Sequence, residues 1–111
     1  MKVCFEDIGH VGATFAAESG ESGMVCKISG NGQVAACGAG EGFCGVMTSV
    51  RKGFAGVQLH GFATLPYTGT APVLGYAALV ANGEGGIQTG GSKEYLVVSV
   101  DENTMHAVIE L

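Results

Sequence analysis

Hydrophobic and polar positions alternate along most of the chain with a period of two. Residues 43–50 (FCGVMTSV) and 54–60 (FAGVQLH) show it well and flank Arg51, Lys52 and Gly53. A three-residue link ending in glycine is a standard hairpin connection, with the glycine left-handed at a bulge. Residues 94–101 (EYLVVSVD) and 104–111 (TMHAVIEL) form a second pair around Glu102 and Asn103. Residues 24–29 (MVCKIS) and 33–37 (QVAAC) form a third around Gly30, Asn31 and Gly32. A further turn over 82–86 joins 76–81 to 87–89. About six to nine short strands separated by Gly-rich turns predict an all-β fold, a small antiparallel β-barrel or sandwich.

Helix signals are weak. Only 71–81 invites one, because Pro72 suits a first turn. Gly75 lies inside that stretch and the β-branched Val73 and Val80 flank it, so a strand over 76–80 is the favoured reading. Residues 1–23 lack clean alternation and end in a Glu/Ser/Gly-rich run. They read as an irregular N-terminal arm or loop leading into a single β-barrel domain over 24–111. An edge strand plus a surface loop fits the same residues.

The central hairpin can be split into faces by alternation. One face carries Phe43, Gly45, Met47 and Ser49 with Ala55, Val57 and Leu59, a plausible core. The other carries Cys44, Val46, Thr48 and Val50 with Phe54, Gly56, Gln58 and His60. Val46, Val50 and Phe54 make this second face more apolar than a solvated one should be. It could belong to a sandwich core or to a subunit interface, and these three residues are the candidate oligomer contacts. Gly42-Phe43-Cys44-Gly45-Val46 recurs as Gly53-Phe54-Ala55-Gly56-Val57, which reads as two neighbouring strands of one hairpin rather than a repeat architecture.

Composition sharpens this picture. Hydrophobic residues are 47% and charged ones 14%, which excludes a disordered tail. Twenty glycines argue against a helical bundle. The net charge is −5 with only five Lys and Arg, so there is no basic stripe for nucleic acid. The apolar run near Val3 is cut short by Glu6 and Asp7, and no stretch is long enough to span a bilayer, so no targeting segment and no membrane partner is expected. The chain is expected to be made in the cytoplasm, with Cys4, Cys26, Cys37 and Cys44 reduced.

Candidate chemistry is sparse. The cysteines lack paired Cys/His spacing, and His10, His60 and His106 are scattered, so no metal site is expected. There is no Gly-x-Ser-x-Gly. Gly40-Glu41-Gly42-Phe43-Cys44-Gly45 formally fits G-x-G-x-x-G, but a strand pattern follows it and Glu41 would repel phosphate. Glu6-Asp7 and Asp101-Glu102 read as solvated turn charges. No catalytic residue and no cofactor is expected. The one constellation favouring chemistry is Cys44 with His60, which fall on the same face of the central hairpin.

Residues 41–79 carry a resemblance. Gly42-Phe43-Cys44-Gly45-Val46, then Ala55-Gly56-Val57-Gln58, then Tyr67-Thr68-Gly69-Thr70-Ala71-Pro72 with Gly75, and the tail Tyr95-Leu96-Val97-Val98 to Val100-Asp101, follow one layout. That layout resembles small prophage and bacteriophage virion structural proteins and is similar to the head decoration proteins of tailed phages. The resemblance implies a small Gly/Ala/Val-rich β domain that assembles as a homo-oligomer, a trimer in that class. It also implies a virion location, a major capsid or other virion protein as partner, and no enzymatic activity. The expected function is therefore capsid decoration or stabilisation. Two alternatives remain open: a tail-associated virion component, and a cytosolic ligand-binding β-barrel or small enzyme using Cys44 and His60.

Overall fold

A computed structural model describes residues 11–111 of the chain. It contains nine strands: β1 (Val11–Ala17), β2 (Val25–Gly30), β3 (Gln33–Ala36), β4 (Gly45–Arg51), β5 (Phe54–His60), β6 (Phe62–Pro66), β7 (Gly75–Ala81), β8 (Ile87–Asp101) and β9 (His106–Glu110). There is no helix among the described residues, so none is long and apolar enough to cross a membrane. The fold is all-β, as the alternation predicts. The ambiguous 71–81 stretch resolves as strand β7, preceded by a connection through Pro72.

Two layers build the molecule. Strands β1-β3-β2-β4-β5 close into a barrel, and β6-β9-β8-β7 form an open antiparallel sheet. The three hairpins read from local alternation all form: β2 with β3, β4 with β5, and β8 with β9. Residues 82–86 link β7 to β8 through the Asn82 carboxamide oxygen, which accepts from Glu84 N–H at 2.7 Å and Gly86 N–H at 3.1 Å.

Two details of the central hairpin differ from the expectation. Arg51 pairs with Phe54, so the link is the two-residue turn Lys52-Gly53, with φ of 21° and 86°. Positive φ at both centres suits the right-handed twist of the flanking strands, and the glycine takes it without steric cost. The bulge lies inside β4 instead, between Met47 and Ser49. An extra residue there turns every later side chain of that strand to the opposite face.

The N-terminal segment also differs. Residues 1–10 lie outside the described residues, so the proposed arm is described only in its second half. There, Val11–Ala17 is not an arm but a barrel strand. It runs antiparallel to β5 and parallel to β3, and it closes the cylinder between them. The boundary placed at Gly23 therefore cuts the barrel. Small residues (VGATFAA) hide the alternation, and both partners are distant in sequence.

Two apolar clusters hold the layers. Cys26, Val34, Met47, Ala55 and Val57 fill the barrel, with Phe15, Val50 and Leu59 packed against them. The larger cluster lies between barrel and sheet. It joins Val25, Cys37, Phe43 and Val46 to Leu65, Leu79, Ile87, Tyr95, Val97 and Ile109, among others. The Tyr95 ring stacks on Phe43 with centroids 4.7 Å apart, and its hydroxyl donates to the Phe43 carbonyl at 2.9 Å. One aromatic pair thus locks the entry to β4 against β8 with both its apolar and polar ends satisfied.

Candidate functional site

The three candidate interface residues do not share a surface. Val46 faces outward from the barrel, but the second sheet covers it and it is buried. Val50 lies past the bulge, where it pairs with Ala55 and packs inward on the barrel cluster. Phe54 alone stays in the open, 58% exposed at the far end of β5. The excess apolarity of that hairpin face therefore has two internal explanations, a covering sheet and a register shift. Gln58, from the same face, is buried as well. Its amide nitrogen donates to the His60 carbonyl at 3.1 Å and the Phe62 carbonyl at 2.9 Å, which fixes the sharp passage from β5 to β6.

Between β1, β4 and β5 the outer barrel face is hollowed into a shallow open groove of about 370 Å³. It is lined by Gly12, Ala13, Thr14, Thr48, Gly56, Val57 and Gln58. The hollow exists because small residues stand where larger ones would fill the face, and the Thr48 hydroxyl is turned onto the Gly56 carbonyl at 3.2 Å. This lining offers hydroxyls and an amide but no thiol, imidazole or carboxylate.

The thiols gather elsewhere, where β2 and β3 meet the start of β4. Cys26 is opposite Ala36 on one side and Gly45 on the other. Cys37 and Cys44 are the chain neighbours of those two partners. All three are free thiols. Cys26 and Cys37 are buried, and Cys44 is half-buried. Cys26 points into the barrel with Cys44 packed beside it, whereas Cys37 belongs to the cluster between the layers. The Cys37 thiol donates weakly to the Gly42 carbonyl at 3.8 Å, and burial pushes its pKa up to about 11.

Cys26 and Cys44 are within hydrogen-bonding reach of each other. The Cys26 thiol also has the Gly45 carbonyl at 3.6 Å, but an anionic sulfur at Cys44 is the stronger acceptor. That hydrogen bond, aided by the positive charge of Lys93, pulls Cys44 down to about 7. The same bond and its burial hold Cys26 as the neutral thiol, well above the ordinary thiol range. Sequence reasoning set Cys44 beside His60; the structure gives it Cys26 as hydrogen-bonding partner and leaves His60 exposed. The missed signal was the pairing of β2 with β4, which no local turn announces.

Nearby, the Lys27 ammonium bridges both carboxylate oxygens of Glu41 at 2.9 and 2.7 Å. The Glu41 carboxylate also accepts from the Gly38 N–H. Lys27 first and then this backbone bond hold the Glu41 carboxyl below the usual range. This explains the acidic residue inside the G-x-G-x-x-G match: it braces a loop. Among the described residues, no group of three or more His, Cys, Asp or Glu side chains is arranged to hold a metal ion.

A second feature was not singled out in the sequence. Val73, Leu74 and Tyr76 are exposed by 65%, 69% and 69%, on the connection into β7 and on β7 itself. The signal was present: Pro72 and Gly75 mark a connection, and apolar residues on a connection have no strand partner to cover them. β7 is an edge of the open sheet and carries neither a charge nor a proline along GYAALVA. Its end is capped by described residues: Ala81 N–H donates to the Glu41 carbonyl at 2.8 Å and its carbonyl accepts from Gly40 N–H at 2.9 Å. Comparison with protein-family models gives no match to the chain, and comparison with curated proteins gives none either.

Proposed function

We propose that the protein is a non-enzymatic structural subunit of a phage or prophage virion, a capsid decoration or stabilisation protein that works by joining copies of itself. The observation that carries the assembly half is the uncharged edge strand β7 with its exposed flank of Val73, Leu74 and Tyr76. Edge strands are ordinarily blunted by lysines, prolines or a covering loop, because their open backbone groups template pairing. Here the start of the edge carries no charge on the strand and exposes Tyr76 beside Val73 and Leu74, which suits a surface destined to be covered. Full burial of a large apolar side chain contributes about 1.5–3 kcal/mol. Three such side chains repeated around a symmetry axis add to the driving force for association.

The virion half rests on the resemblance of residues 41–79 and 95–101 to head decoration proteins. In this reading the barrel is the rigid body, β7 and its flank meet the neighbouring copy, and the assembled ring sits on capsid subunits. The mechanism is mechanical: each copy adds buried surface across the joints of the shell.

Size-exclusion chromatography with light scattering at high micromolar concentration tests assembly. A defined oligomer is expected, with its mass falling toward the monomer when Leu74→Lys and Tyr76→Lys are combined. A strict wild-type monomer overturns the assembly half. Adjacent genes for terminase, portal or capsid protease support the virion half, and a purely metabolic neighbourhood overturns it.

A further inference from the structure

We propose that Cys44 and Cys26 form an oxidation-responsive pair, in which a hydroperoxide oxidises Cys44 and Cys26 then closes a disulfide tying β2 to the start of β4. Placement carries this. Both side chains belong to the cluster inside the barrel, with Cys26 fully buried and Cys44 reaching the surface. The backbone joins them too: the Cys44 N–H donates to the Cys26 carbonyl at 2.8 Å, and Cys26 stands opposite Gly45, the next residue after Cys44. That backbone bond sets the two residues on adjacent strands, about 4.7–4.9 Å apart in the hydrogen-bonding direction, and a disulfide spans Cα separations of about 4.4–6.8 Å. Cys37 packs in the cluster on the other side of the β-layer, which singles out Cys26 as the resolving thiol.

The chemistry assigns each residue one step. The half-exposed Cys44 sulfur, as thiolate, attacks the terminal oxygen of the hydroperoxide. The O–O bond breaks, leaving a sulfenic acid on Cys44 and releasing the alcohol, or water from hydrogen peroxide. The Cys26 sulfur then attacks the Cys44 sulfur, and the S–O bond breaks. The departing hydroxide takes the Cys26 proton as water. Two thiols lose two electrons in total, and the hydroperoxide gains them. The lowered Cys44 pKa and the nearby Lys93 charge favour the first step. This modification site stands independently of the assembly reading.

The test treats the full chain with a small excess of hydrogen peroxide, quenches with an alkylating reagent, and reads intact mass and a non-reducing peptide map. The expected result is the loss of one hydrogen from each of two thiols and a linked Cys26–Cys44 peptide, reversed by dithiothreitol. Cys44→Ser abolishes the link and Cys37→Ser retains it. Cys26→Ala leaves a sulfenic acid on Cys44 that dimedone captures. The wild-type map decides by itself if a variant fails to fold. A Cys44 that stays alkylatable while free glutathione is oxidised overturns the proposal. So does a link from Cys44 to Cys4 or Cys37, or a Cys44 sulfinic acid beside an unmodified Cys26.

Discussion

Single residues decide how closely the strands approach. Gly45 is the sharpest case: a Cβ there would overlap the Gln58 carbonyl oxygen and a Val57 methyl. The obstacle is partly backbone, so it cannot swing aside. Gly45→Ala is expected to destabilise the fold by about 1–3 kcal/mol, typical of overpacking, read as a lower urea midpoint with little change in slope. The echo of Gly45 at Gly56 is a different situation, because a Cβ at Gly56 would meet only the Ser49 and Thr48 hydroxyls. The sequence shows two equivalent Phe-x-Gly-Val copies, yet Phe43 is buried in the larger core and Phe54 is 58% exposed. What distinguishes them is not local: one copy lies under the second sheet and the other at the far end of the hairpin. Cys44 teaches the same lesson. Alternation set it on one face with Val46, yet Val46 lies in the cluster between the layers while Cys44 packs against the cluster inside the barrel, beside a cysteine eighteen positions earlier.

Elements were legible where their cause was local. The β2–β3, β4–β5 and β8–β9 hairpins each combine a turn signal with alternation on both sides, and all three form. The bulge at Thr48 was not legible, because nothing about a threonine in a strand announces an extra residue. It alone moves Val50 from the outer face to the interior. The loop between β3 and β4 is held by Lys27 and Glu41, whose carboxyl pKa is lowered first by Lys27 and then by the Gly38 N–H. A carboxyl with a depressed folded-state pKa stabilises above its unfolded-state pKa and loses that contribution as pH falls through the folded value. Glu41→Gln is therefore expected to lower the urea midpoint near neutral pH, with the gap from wild type shrinking below the ordinary carboxylate range. A gap that persists unchanged into strong acid would mean that the loop brace is not electrostatic.

At the scale of the whole molecule, the fold depends on a seam. β1 pairs with β3 and β5, and the Ala16 and Ala17 N–H groups reach the carbonyls of Gly32 and Gly53 at 2.9 Å each. Ala16→Pro removes one of these donors and is expected to open the barrel rather than trim one strand. Hydrogen exchange should rise along β3 and β5 together, while β8 and β9 change less. A uniform rise through all nine strands would mean that the two layers unfold as one unit. The N-terminal segment was the least legible part of the sequence for this reason: its strand character comes from partners on either side, not from its own pattern.

That seam constrains how the chain can fold as it is synthesised. The segment that completes the cylinder is translated before the other barrel strands, yet one of its two neighbours, β5, follows only after about forty further residues. Until then it has at best a parallel partner in β3, and pairing between remote segments is intrinsically slow. The nascent chain therefore carries an unsatisfied ribbon until β5 has been made. Insertion of that ribbon is the natural last step of folding, and crowding of many unfinished copies is the moment at which wrong partners would compete for it.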